Sequence, residues 1–395
     1  MSQAIAEITA FEVQKPMFSL PQHESIRWTA EAHTRAESMR TNGSTQNEKS
    51  AYQIEKLFSR YGVNPSIIGF RSFDLNDLNN HNWEELEIYR FGDELCNNSK
   101  LSPYGKNINA RTDYFLRKSS EVFRRFYPPI KPPPSHIIHV TCTGYASPSP
   151  AQRLINENSW SDTTNVTHAY HMGCYASMPA IRMGEGFISA MKNRNMNTSL
   201  TQVDIVHTEI CSLHMNPLVH SPEQIVVQTL FADGHIKYSL VPSGTAKCGL
   251  AILNIKEQVI QDSGDDMSWI PETWGMQMTL SRDVPKKIAA NLKQFLDKLV
   301  APTKLLTAEV LLKATFAIHP GGPKIIEAVQ KAFELQDAQL EKSKEVLFHH
   351  GNMSSATLPH VWKVILEEGL SPGHIVVSLA FGPGLTLFGA VFRII

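Results

Sequence analysis

The sequence predicts an α/β layered fold with mainly parallel sheets. Two observations carry this expectation. Short apolar runs rich in β-branched residues recur along the chain, and amphipathic helical patterns lie between several of them. At 395 residues the chain exceeds one average domain, so it has room for roughly two to three units or one large duplicated α/β domain.

Taken in order, Pro21 to Lys49 is polar and rich in Glu, Ser, Thr and Asn. It offers one surface helix, then a loop around Thr41 to Asn47, and is expected to lie outside the core. From Ala110 to Phe126 the apolar residues Tyr114, Phe115, Leu116, Val122, Phe123 and Phe126 recur among Arg and Lys, which predicts an amphipathic helix. Tyr127-Pro-Pro and Lys131-Pro-Pro-Pro stop it. Ile137 to Thr143 is apolar and partly β-branched, with prolines before it and Gly144 after it, as a buried strand requires. Similar strands are expected at Val203 to His207, Gly249 to Ile255, Thr315 to Ile318 and Ile375 to Ala380. Helices are expected over Ala180 to Lys192 and over Val284 to Val300, where Ile288, Leu292, Phe295 and Leu299 share one face.

Composition narrows the function classes. With 42% hydrophobic and 19% charged residues the chain reads as a folded, enzyme-sized protein rather than a disordered or fibrous one. Lysine plus arginine (37) nearly balance aspartate plus glutamate (38), for a net charge of −1, so no basic field awaits nucleic acid. A run of about 18 apolar residues, long enough to span a membrane, does not occur. The first thirty residues lack a basic segment leading into an apolar one. The expectation is a cytoplasmic protein with no membrane and no nucleic-acid partner. The five cysteines, Cys96, Cys142, Cys174, Cys211 and Cys248, are odd in number and form no CxxC pair, so they read as reduced thiols.

Three segments share a local logic, a buried strand or apolar stretch ending in a small-residue turn with one reactive side chain. In His171-Met-Gly-Cys174-Tyr-Ala-Ser-Met-Pro179, Cys174 stands just before a helix start, where unpaired backbone N–H groups and the dipole favour thiolate. Taken alone, a buried structural cysteine is the better reading. In Phe316-Ala-Ile-His319-Pro-Gly-Gly-Pro323, a strand delivers a histidine to a Pro/Gly turn, and Pro323 can open a helix. In His349-His-Gly-Asn352-Met-Ser-Ser-Ala356, the bland alternative for the asparagine is a helix cap. His168-x-x-His171-x-x-Cys174 also permits a metal reading, but tight Cys/His pairs on both sides are missing, and no metal is expected.

Together HMGCYASMPAIR, AIHPGGPKII, GNMSSAT and FGPGL (Phe381 to Leu385) resemble the signature segments of type III polyketide synthases of the chalcone and stilbene synthase type, in the same order and at similar spacing. The likeness runs from about Ile54 to the C-terminus and includes Leu230-Phe-Ala-Asp-Gly234 and Arg282-Asp-Val-Pro285. It implies a thiolase-like five-layer αβαβα fold made of two duplicated halves, built as a homodimer. Residues 1–50 match poorly, 51–250 form the half with the nucleophile, and 251–395 form the half with the histidine and asparagine.

The resemblance implies a Cys-His-Asn site at Cys174, His319 and Asn352, with Phe231 as the aromatic gate between carrier tunnel and reaction cavity. Substrate-pocket roles fall on Phe231, Met278, Cys211, His214, Ser147, Phe381, Gly382, Pro383 and Gly384. Met278 replaces a second gate aromatic, and Ser147 replaces the methionine usually pushed into the partner's cavity. Cys211 and His214 stand where plant members carry threonines, and Leu387-Phe388 where an acidic residue is usual. These departures enlarge or soften the pocket, and adaptable methionine suits a flexible alkyl or extended acyl chain. Coenzyme A phosphates have only Lys56 and Arg60 as candidate ligands.

The implied reaction is a decarboxylative Claisen condensation of an acyl thioester with a malonyl-type extender through an acyl-Cys174 intermediate. It needs no metal or redox cofactor, and its substrates are acyl-coenzyme A or acyl-carrier-protein thioesters. The rival within enzymes is a ketosynthase III-like or α-pyrone-forming enzyme that joins carrier-protein-bound β-ketoacyl chains. The rival from another class is a non-catalytic scaffold relative, against which an intact Cys174, His319 and Asn352 argue.

Overall fold

In the computed structural model the described residues are 4–41, 47–91, 102–193 and 201–395. The elements are β1 (Ala6–Gln14), β2 (Phe18–Pro21), α1 (Gln22–Arg40), α2 (Asn47–Tyr61), β3 (Phe70–Phe73), α3 (Ile108–Phe126), β4 (His136–Thr141), α4 (Pro150–Glu157), β5 (Asn165–Tyr170) and α5 (Ser177–Asn193). They continue with β6 (Val203–Ile210), α6 (Pro222–Leu230), β7 (Asp233–Pro242), β8 (Leu250–Val259), β9 (Met267–Pro271), β10 (Met276–Leu280), α7 (Val284–Val300) and α8 (Thr307–Lys313). The last are β11 (Thr315–Ile318), α9 (Pro323–Phe333), α10 (Asp337–His350), α11 (Thr357–Glu367), β12 (Ile375–Gly382) and β13 (Thr386–Ile394).

The strand order β11-β12-β13-β8-β1-β7-β6-β4-β5 sets two similar strand sets side by side. They meet where Glu7 and Ile8 of β1 pair with Ala251 and Leu250 of β8. The expectation of mainly parallel pairing is corrected. Only β4–β5, β4–β6 and β11–β12 run parallel, and β12–β13, β13–β8, β8–β1, β1–β7 and β7–β6 are antiparallel. Helical crossovers through α4 and α5 allow the parallel pairs. The short Pro383-Gly384-Leu385 turn between β12 and β13 can only reverse the chain.

Layering follows from strands buried on both faces. In β12, Val376 and Ala380 join the central core, while Val377, Leu379 and Phe381 join an outer one, as the two-residue side-chain period demands. The central core receives Met178, Ile181 and Ile188 of α5 and Leu358, Val361, Trp362 and Ile365 of α11. These two helices therefore lie between the strand sets. On one outer side α3 and α4 pack on Ile137 and Val206, and on the other α7 and α9 pack on Val377 and Val391. The result is the thiolase-like αβαβα arrangement. Each fully buried Leu, Ile, Val or Phe stabilises it by roughly 1.5–3 kcal/mol.

The N-terminal segment departs from expectation. The predicted surface helix is α1, but Trp28, Ala32 and Ala36 are buried in a cluster with Phe73, Leu78 and Tyr89. Gln22 donates its amide to the carbonyls of Val63 and Thr229, and Ser25 and Thr29 are buried beside it. An inner face built largely of small and polar residues has little apolar contrast, so periodicity alone reads it as solvent-facing. The loop expected around Thr41 to Asn47 falls largely outside the described residues.

Candidate active site

Cys174 lies in the turn between β5 and α5. Gly173 before it has φ +86°, and a Cβ there would lie 2.5 Å from Pro383 Cδ; only glycine fits. One residue on, Tyr175 covers Gly382, where a Cβ would lie 2.1 Å from the tyrosine ring. The cysteine turn and the β12–β13 turn therefore interlock. Pro383 lines the cavity, whereas Phe381, Gly382 and Gly384 lie behind it. Strand alternation turns Phe381 into the outer core, and the two glycines act through backbone approach.

Asn352 follows the C-terminal end of α10, whose closing residue Gly351 has φ +74°. Its backbone N–H donates to Leu230 O at 3.0 Å, and its carbonyl accepts from Ala232 N–H at 2.8 Å, which pins it beside Phe231. The side-chain oxygen accepts from the Ser354 N–H at 2.9 Å and the Thr357 hydroxyl at 3.2 Å. These two bonds fix the amide's orientation. Its nitrogen is left buried and without a hydrogen-bond partner. Asn352 nevertheless faces the Cys174 sulfur closely enough to pull the thiol pKa down, as does Ser354, whose hydroxyl lies 3.9 Å from the sulfur.

His319 ends β11. Its N–H donates to Leu379 O at 2.8 Å, and both ring nitrogens are buried without a partner. Orphaned buried polar atoms are rare in native folds and call for an explanation such as a ligand or a reacting group. Three of them occur here, two on His319 and one on Asn352.

The electrostatics correct one expectation. Burial pushes the Cys174 thiol up to about 12, against the pull of Ser354 and Asn352, and the buried Glu209 carboxylate also raises it. Burial pushes His319 down to about 3. Burial therefore favours the neutral form of both groups, against the thiolate that the helix start suggested for Cys174. Desolvation outweighs the helix dipole because α5 begins three residues after Cys174, beyond its reach into the first turn.

The cavity is mostly apolar. Cys174, Gly173, Ser354 and Pro383 line it with Phe231, Met278, Cys211 and His214, so five of the pocket residues expected from sequence (Phe231, Met278, Cys211, His214 and Pro383) share the cavity with the candidate nucleophile. His214 donates from Nε2 to the Thr143 carbonyl at 2.8 Å and accepts the Met276 N–H at Nδ1, which sets its tautomer. Met278 is held through its carbonyl by the Gln224 amide at 2.6 Å. Ser147 is exposed and outside this cavity, as are Lys56 and Arg60 on α2. His168 hydrogen-bonds Ser149, and His171 hydrogen-bonds Tyr145, so both are engaged away from the thiol. Among the described residues no group of three or more His, Cys, Asp or Glu is arranged to hold a metal, and no helix is long and apolar enough to cross a membrane. Cys96 lies outside the described residues.

Several wall residues escaped the sequence reading. Ser354 had a signal, since it sits in the same GNMSSAT segment as Asn352. Trp269, whose indole donates to Cys142 O at 2.7 Å, and Trp28 had none, because they come from remote segments. Glu209 is fully buried and accepts from Cys142 N–H at 3.0 Å, Thr143 OH at 2.9 Å and Ser355 OH at 2.5 Å. It braces the strand end under the cavity.

Residues 255–395 match the family described as chalcone and stilbene synthases, C-terminal domain. A putative chalcone synthase of Bacillus subtilis is 29% identical over 244 residues, covering 59% of this chain and 63% of that protein; the matched stretch is under two thirds of the relative's length. Among solved structures, PKS-I from the brown alga Ectocarpus siliculosus superposes with a TM-score of 0.79 at 21% identity, covering all of both chains. The C-terminal type III polyketide synthase domain of Steely1, a type I/III hybrid from Dictyostelium, gives 0.78 at 20% identity over 98% of this chain and 99% of that one.

Proposed function

We propose that this chain, a relative of the type III polyketide synthases with a chalcone and stilbene synthase C-terminal domain at residues 255–395, is a condensing acyltransferase. It joins an acyl thioester with an alkyl or otherwise extended chain to a malonyl-type extender through an acyl-Cys174 intermediate. The reading is carried by Asn352, whose buried amide nitrogen has no hydrogen-bond partner and whose side chain faces the sulfur of Cys174, a residue that lines a mostly apolar cavity.

His319 takes the thiol proton as the Cys174 sulfur attacks the starter thioester. The new S–C bond forms, the bond to the carrier sulfur breaks, and the proton leaves with the carrier thiol. In the extender, the bond between the carboxylate and the α-carbon breaks and carbon dioxide departs. The electron pair stays as an enolate, whose oxygen accepts from the Asn352 amide and from one N–H of neutral His319. The enolate carbon attacks the acyl-Cys174 carbonyl. A carbon–carbon bond forms, the S–C bond breaks, and Cys174 leaves as a thiolate that takes a proton from solvent, which restores the thiol for the next acylation.

A neutral His319 suits this role, because the imidazole can accept a proton in one step and donate a hydrogen bond in the next. Lys56 and Arg60 are proposed to meet the phosphates of a coenzyme A carrier, and Ser147 to contribute to a homodimer contact. The test is incubation with acyl-coenzyme A or with acyl-carrier protein, then intact mass. A mass gain lost in Cys174→Ala supports an enzyme, and the productive donor identifies the carrier. No adduct from either donor would favour the scaffold alternative.

A further inference from the structure

The cavity does not end at the gate residues. Beyond Cys174 its wall is completed by Trp28 and Thr29 of α1, Phe73 of β3, Leu78 and Tyr89. The buried apolar residues among them belong to a separate core cluster from the one around Cys174. The hollow therefore connects two hydrophobic clusters, one around the thiol and one built on the N-terminal helix.

The two ends differ in chemistry. At the thiol end the wall carries the reactive Cys174 sulfur, with the Ser354 hydroxyl 3.9 Å from it. At the α1 end every polar group on the wall is bound: Thr29 Oγ1 donates to Ser25 O at 2.7 Å, and Tyr89 OH donates to Ser212 O at 2.7 Å and accepts the Met215 N–H at 2.9 Å. Arg71 donates to Ser25 Oγ, Gln228 O and Phe231 O. This end asks nothing polar of an occupant. It is also rigid, since Trp28 stacks on Trp83 at 5.1 Å between ring centroids and its indole donates to Asn80 O at 3.1 Å.

We propose that α1 closes the substrate cavity and measures chain length, with the tail of a saturated acyl chain lying against Trp28, Thr29, Phe73 and Leu78. The inference rests on the acyl-thioester reading above and deepens it. A hydrocarbon tail satisfies a wall with no open hydrogen bond, and each methylene it buries is worth roughly fourfold in kcat/KM. The segment that matches the family least thereby selects the starter.

The test measures acylation of Cys174 by intact mass, and condensation, with saturated acyl-coenzyme A thioesters of increasing length, for the wild type, Thr29→Leu and Leu78→Ala. Thr29→Leu fills the tail end and should move the optimum to shorter chains, losing roughly fourfold per excluded methylene. Leu78→Ala opens it and should move the optimum the other way. The opposite shifts guard against a trivial loss, and far-UV circular dichroism with a melting scan shows that each variant is folded. An unchanged length profile in two folded variants overturns the ruler while leaving the condensing reading intact. A wild type acylated by no thioester of any length overturns that reading itself.

Discussion

The side-chain oxygen of Asn352 accepts the backbone N–H of Ser354 at 2.9 Å. With Thr357 holding the same oxygen, the amide cannot flip without breaking both bonds. Its nitrogen is thereby turned towards the Cys174 sulfur as a buried donor without a hydrogen-bond partner.

Asn352→Asp keeps an acceptor for Ser354 and Thr357 but turns the free donor into a second acceptor. It should retain self-acylation and lose decarboxylation of the extender by about 10²–10³-fold, equivalent to about 2.7–4 kcal/mol of transition-state stabilisation. Carbon dioxide release from malonyl-coenzyme A, measured beside acyl-enzyme mass, checks this. Release at the wild-type rate would contradict the role given to the amide.

The reactivity of Cys174 should depend on pH as a high-pKa thiol does. With the thiol pushed up to about 12, alkylation at pH 7 should be slower than that of a free cysteine and should climb through alkaline pH. Peptide mapping after timed iodoacetamide treatment separates Cys174 from the other cysteines. A rate plateau reached below pH 7 would instead reveal a preformed thiolate.

His319 should weaken the fold in acid. Burial lowers its pKa from the ordinary 6.5 to about 3, so between these values the unfolded chain binds the proton that the folded one refuses. Its contribution is fully present above pH 6.5 and is lost as pH falls towards 3. Urea denaturation across that window should show a shallower loss for His319→Gln, by up to one proton in the slope. Equal slopes would mean that His319 is solvated in the folded state.

Gly173→Ala should be damaged twice, by the left-handed backbone at φ +86° and by contact with Pro383. The backbone strain alone is about 1–3 kcal/mol, and the turn carrying Cys174 must shift. Pro383→Ala in the same chain should return part of the lost acylation by removing the steric half. Chemical denaturation and acylation of the single and double variants measure the coupling, and strictly additive losses would dismiss the interlock.

Arg71 is buried with its guanidinium bonded to Ser25 Oγ and to the carbonyls of Gln228 and Phe231. Arg71→Met abandons those acceptors at roughly 1–3 kcal/mol each and releases the Phe231 segment at the cavity wall. A fall in melting temperature together with a raised KM for long acyl donors is the expected result. A melting temperature equal to that of the wild type would show the bonds to be dispensable.

The sequence by itself determined the alternation of buried strands and amphipathic helices. The helix Val284–Val300 and the strand Thr315–Ile318 occur with the expected ends, because apolar spacing and Pro/Gly punctuation are local properties. Cys174, His319 and Asn352 stood out through the resemblance of their segments to those of type III polyketide synthases, since local pattern alone left Cys174 and Asn352 with structural readings. The tertiary structure alone decided the antiparallel pairing across the middle of the sheet and the burial of α1. It decided the burial that shifts the thiol up and the imidazole down, and the union of Trp28, Trp269, Met278 and Cys174 around one hollow. Those properties depend on which distant segments enclose a group and remove its water, and the order of residues along a chain does not encode that locally.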